Sequence, residues 1–269
     1  MASIRMPRDD EEALLPDYED AGNTRTAQPT QAQRPHFWPK DIEGMNPDAK
    51  EGSVNSAHVH IRMAFLRKVF GILSFQIVLT TAICAAIYMT PGVKGFVQNN
   101  GWVLLMTLFG SIGLIIAMHI HARNVPTNYI LLASFTVVQA LTLGTLVSLF
   151  EVDVILEAAL LTTVIVFSLF VYTLQSKKDF VKHYAIAYSF LGILLMASVF
   201  QIFFHSPAFN FFVNVGGAAL FCLFLMIDLD LIMNHMNAED YILACITLYM
   251  DVINLFIRIL QLVAEAQRQ

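Results

Sequence analysis

Two carboxylates stand where an apolar chain should not want them. Asp228 lies in "LFLMIDLDLIMNHM" and Asp251 in "LYMDVINLFIRIL", and only "NHMNAED" separates the two apolar runs. If both runs are helices crossing hydrocarbon, so short a link makes them antiparallel neighbours and brings the two acids together from opposite directions. A charged side chain at mid-bilayer costs about 2.5–3.5 kcal/mol on insertion scales, so an acid kept there is first read as functional. Two carboxyl groups in a low dielectric share a proton and titrate as one unit, which makes them a pH sensor. Deprotonated, they repel each other and offer hard oxygen ligands suited to Ca²⁺. Asp228 and Asp251 are therefore the expected ion-binding or pH-gating residues, with calcium and protons as the expected partners and no resident cofactor.

Asp230 is two residues from Asp228, about 200° round a helix, so the two cannot share one inward face. It lies closer to the end of its run and is expected to snorkel to the interface. On the last run Thr247, Asp251, Asn254, Arg258, Gln261 and Glu265 follow helical steps of three and four, one polar stripe along one face. Arg258, about two turns from Asp251, is an accessory candidate that would hold the site closed when empty, or simply tether the helix.

The surroundings must be a bilayer. Of 269 residues 57% are hydrophobic and only 14% charged, with 21 Phe, against roughly 45–50% apolar usage in soluble domains. Mean hydropathy is +0.61. Apolar runs at about 69–89, 102–118, 129–150, 154–174, 184–204, 211–233 and 241–263 each approach the roughly 20 residues that a spanning helix needs. The expected fold is an all-α polytopic bundle of seven transmembrane helices over residues 58–269. Arg62, Arg67, Lys68, Arg123, Lys177, Lys178 and Lys182 flank alternate ends, while the opposite loops offer only Lys94, so the N-terminus is expected in the cytosol. The polar last run either spans with its stripe turned inward or lies in the interface or re-enters. Spanning is expected, because the rest of its wheel is strongly apolar.

Residues 1–57 hold eleven acids, six bases and six of the nine prolines. Their net charge of −5 is that of the whole chain, and the stretch is expected to be a disordered tail. It lacks an apolar core behind a basic start, so a cleaved signal peptide is not expected and the first span would act as the targeting signal. Within it "DEEALL" places Asp10 four residues before the Leu14–Leu15 pair, the pattern of an acidic dileucine sorting signal for Golgi, endosomal, lysosomal or vacuolar membranes.

"HIRMAFLRKVFGILSFQ", "VYTLQSKKDF", "LFCLFLMIDLDLIM" and "EDYILACITLYMDVINLFIRIL" closely resemble the Bax-inhibitor-type transmembrane family, with the lifeguard branch nearest. The resemblance runs from about His58 to Val263. It implies a seven-helix bundle in which aspartates on the last two helices form a pH-responsive latch over a calcium-leak pathway, and suppression of cell death through lower organellar calcium load. Golgi, endoplasmic reticulum or vacuolar membranes are the implied locations, and apoptosis-regulating or calcium-channel membrane proteins the implied partners. Carried over by position, the latch residues are Asp228 and Asp251. The departures are "LDL" after Asp228, which puts Asp230 at a position the family keeps polar and neutral, and Gln139 where many relatives carry Glu. Arg123 stands near the place of a basic latch residue by the second span.

Other classes fit less well. An intramembrane aspartyl protease also uses two aspartates, but it resembles tyrosine–aspartate and glycine-x-glycine–aspartate elements, and this chain has "MID" and "YMD". An enzyme is therefore not expected. A membrane adaptor acting through its tail, without conducting ions, is the main alternative. No phosphate loop, nucleophile elbow or aromatic-interleaved basic patch points to nucleotides or nucleic acid. Cys84, Cys222 and Cys245 read as small core residues, "HVH" and "HIH" as interface residues, and "GGAA" (216–219) as a place of close helix packing.

Overall fold

The computed structural model describes residues 59–176, 178–203, 206–237 and 239–267. The acidic tail, with Asp10, Leu14 and Leu15, lies outside the described residues. The helices are α1 (Val59–Met89), α2 (Pro91–Asn99), α3 (Trp102–His121), α4 (Thr127–Val147), α5 (Val152–Gln175), α6 (Tyr184–Phe203), α7 (Pro207–Asn234) and α8 (Tyr241–Ala266). A 3₁₀ turn, Val181–His183, leads into α6.

Seven of these helices are long and apolar enough to cross a membrane. The exception, α2, falls at a break in the apolar pattern. Pro91 sits in its first turn behind an extended Thr90, where a fixed φ and a missing N–H suit a helix start, and only Val97 is buried. Hydropathy alone did not anticipate this short helix.

The centre of the bundle is α8, which packs against α7, α5, α1 and, more lightly, α4. Its buried residues include Ile242, Cys245, Ile246, Leu248, Tyr249, Asp251, Val252, Ile253, Leu255 and Leu260, which cover well over half of the wheel. A helix on the membrane surface would bury a narrower face in protein, and a re-entrant segment would break. This helix is continuous for 26 residues, about 39 Å at the helical rise.

The outer helices are the reverse. α3 leans on α4 and α6 on α7, leaving Phe109 and Phe203 at 68% and 72% exposure. So much exposed apolar surface is stable only with lipid as its solvent. The hydroxyls on these faces are spent locally: Ser74, Thr81, Ser134, Thr163, Ser168 and Ser189 each donate to the carbonyl four residues earlier. Hydrocarbon offers them no other partner. The chain is a multi-pass membrane protein.

Candidate functional site

α7 and α8 make the most extensive helix contact of the bundle. Asp228 lies six residues before the end of α7 and Asp251 ten after the start of α8, about 9 Å and 15 Å from the linked ends of the two helices. Both are 8% exposed. Their carboxyl groups lie within hydrogen-bonding reach of each other, and Asp251 Oδ2 has no donor among the described residues. From α6, Tyr184 stands within electrostatic reach of both acids while donating its hydroxyl to Tyr188 at 3.0 Å. Among the described residues no ion pair involves either carboxylate. Two acids at this separation repel unless a proton or a cation lies between them.

Asp230 does not snorkel out as an exposed side chain. It is 3% exposed, and its Oδ2 accepts the backbone N–H of Phe180 at 2.6 Å and of Val181 at 3.4 Å, while Asn234 donates to Oδ1. These are the free donors at the start of the 3₁₀ turn, which an anion satisfies as it does at a helix start. The 200° separation of Asp228 and Asp230 holds, and the second face meets the α5–α6 connection.

Arg258 does not contact Asp251. Its guanidinium donates to Asn214 Oδ1 at 3.2 Å and Ser198 Oγ at 3.1 Å, and it lies over Gly217, where a Cβ would fall 2.9 Å from Nε. "GGAA" is therefore a seat for an arginine: Gly216 has nothing within 4 Å, so no helix backbone approaches closely there. Arg123 is likewise apart from the acids, paired with Asp240 at 2.9 Å. With Lys68, whose ammonium sits 3.2 Å from the Tyr241 ring centre, it pins the start of α8.

Gln139, 9% exposed, is on α4, three residues after Thr136. Among the described residues no hydrogen bond joins it to Asp228 or Asp251. The neighbouring polar groups form a layer that sequence reasoning missed. Gln76 donates to Thr136 Oγ1 at 2.9 Å, and Thr80 bonds to the Tyr249 hydroxyl at 2.8 Å, so the layer ties α1 to α4 and to α8. The available signal was the four-residue spacing of Gln76 and Thr80 within an apolar helix. His119 and His121 bond to carbonyls of their own helix.

Among the described residues no three or more His, Cys, Asp or Glu gather as a metal site. Asp228 and Asp251 together offer four oxygens, short of the six to eight that a resident Ca²⁺ takes. Such a pair suits an ion in passage, or a proton.

The sequence model of the family described as "Inhibitor of apoptosis-promoting Bax1" matches residues 62–268, all seven spans. The chain belongs to the Bax inhibitor family. Among its relatives, the Golgi anti-apoptotic protein of Vaccinia virus (strain Lister) is 41% identical over 217 residues, covering 81% of this chain and 92% of that protein. Protein lifeguard 4 of Mus musculus is 38% identical over 216 residues, covering 80% and 91%. Bax inhibitor 1 of Schizosaccharomyces pombe is 35% identical over 208 residues, covering 77% and 78%. In this member of the family the two aspartates lie on the two helices that pack most extensively.

Proposed function

We propose that this protein is a pH-sensitive calcium leak pathway of an organellar membrane, Golgi, endoplasmic reticulum or vacuole, that restrains cell death by lowering stored calcium. Its N-terminus lies in the cytosol, and the Asp228–Asp251 pair is the latch. The reading is carried by one observation: two carboxyl groups buried within hydrogen-bonding reach, with no cation paired to either among the described residues. The names of the relatives, which speak of apoptosis, Bax inhibition and the Golgi, support the cellular role.

A proton on the pair lets one carboxyl donate to the other and holds α7 to α8. Its loss leaves two like charges face to face, which part the helices or draw in a cation. Flux is therefore expected to rise as pH rises through the titration of the pair.

The test is calcium flux through the purified protein in liposomes, from acid to mildly alkaline pH. A pH-dependent flux supports the latch, and a flat response ends it. If there is no flux while the protein still protects cells from death, it acts as an adaptor or as a regulator of another channel. The "DEEALL" stretch is proposed to sort the protein, so replacing Leu14 and Leu15 with Ala should change its location.

A further inference from the structure

At the end of the bundle where α7 begins and α8 ends, a cavity of about 590 Å³ opens, lined by Gln201, Asn210, Asn214, Gln261 and Glu265 among others. Its polar groups are carboxamides and one carboxylate, and Asn210 Oδ1 has no donor among the described residues. Hard oxygens of low net charge, in a space far larger than one water, suit a hydrated cation that is held loosely and released.

The cavity shares the polar stripe of α8 with Asp251. Gln261 and Glu265 belong to the same stripe of α8 as Asp251, and between them stands Arg258. Asn214, which lines the cavity, accepts the Arg258 guanidinium at 3.2 Å. Arg258 is half-buried and seven residues from Asp251, about 10 Å along the helix. Its partners Asn214 and Ser198 are neutral, and among the described residues no carboxylate pairs with it. A guanidinium is always charged. Neutral partners fix its position without cancelling its field, and such a charge in a narrow polar passage repels cations.

Building on the proposed leak pathway, we infer that this cavity is the vestibule of the route on the face opposite the N-terminus, and that Arg258 at its floor is an electrostatic stopper. It limits cation entry independently of the aspartate latch. Gly217 belongs to the device, because any side chain there would push the guanidinium aside.

Two experiments test this on the full chain in liposomes. In calcium flux, Arg258→Gln is expected to raise the rate several-fold across the pH range with the pH dependence retained, while Arg258→Lys stays near the native rate. Native-like or lower flux in an Arg258→Gln protein of normal size-exclusion profile overturns the stopper. That result leaves the latch standing as long as the native pH response persists.

The second experiment needs no flux, so it holds even if the leak reading fails. Asn210→Cys and Gln261→Cys are each treated with membrane-impermeant cationic and anionic thiol reagents, with the native chain as background. Labelling from the face opposite the N-terminus is expected, and adding Arg258→Gln should shift the rate ratio several-fold toward the cationic reagent. Absence of labelling overturns the vestibule, and an unmoved ratio overturns the stopper. A purely structural arginine would change neither ratio nor selectivity.

Discussion

Asp230 accepts the backbone N–H of Phe180 at 2.6 Å, so an acid inside an apolar helix is spent on holding the α5–α6 connection to α7. It leaves its neighbour Asp228 as the acid that faces α8. Asp230→Ala leaves two part-buried N–H groups without their acceptor and is expected to cost about 1 kcal/mol, read as a lower unfolding midpoint in detergent. Asp230→Asn keeps an acceptor and should cost less. Both should retain the pH profile of calcium flux. A flattened profile in Asp230→Asn would place Asp230 in the latch.

For Asp228 and Asp251 the prediction concerns coupling. If one proton is shared, neither acid can respond to pH alone, and their contributions cannot add. Asp228→Asn, Asp251→Asn and the double variant should therefore all lose the pH-dependent part of the flux. Each should sit near the native acid-side rate, since an amide donates to its partner as a protonated carboxyl does. Singles that each keep half of the response, with a double that loses all of it, would mean two independent groups.

The spans were legible because about 20 apolar residues per crossing is a demand the bilayer imposes on any sequence, and the α7–α8 pairing because a link as short as "NHMNAED" leaves two long helices no other arrangement. Those two facts bring Asp228 and Asp251 onto neighbouring helices, and the fold turns them toward each other. Asp230 and Arg258 were not legible, for a shared reason. Depth along a helix and position on its wheel describe one helix, whereas the partner of each side chain came from another element: the "KKDF" loop for Asp230, and Asn214 with Ser198 for Arg258. Gly217 shows the same limit. A small residue signals that something comes close, and only the fold says that it is a guanidinium.

Thr80 and Tyr249 offer a test of what holds α1 to the central helix. Their hydroxyls meet at 2.8 Å, and Tyr249 is fully buried while Thr80 is 3% exposed. Inter-helix hydrogen bonds in membrane proteins average about 0.6 kcal/mol and reach about 1.7, because the separated helices also find partners. A double-mutant cycle of Thr80→Val and Tyr249→Phe, measured by unfolding in mixed micelles, is expected to give a coupling in that range. A coupling indistinguishable from zero would mean that apolar packing alone fixes α1.

Packing between α1 and α4 turns on Gly144, where a Cβ would fall 2.5 Å from Ile87 Cδ1 and 3.5 Å from the Cys84 backbone. The nearer atom is the tip of a flexible side chain that can rotate away, and the backbone atom is at ordinary contact distance. Gly144→Ala is therefore expected to be nearly neutral, within about 1 kcal/mol, with Ile87 absorbing the methyl group. Gly144→Leu has no such escape: its branch must displace the Cys84 turn and open the α1–α4 contact, at about 1–3 kcal/mol or more. Pairing it with Ile87→Ala, which removes the first obstacle, should recover only part of that loss, since the backbone of α1 remains. Full recovery in the unfolding midpoint would show that the side chain of Ile87, and not the approach of the two helices, sets the limit at this crossing.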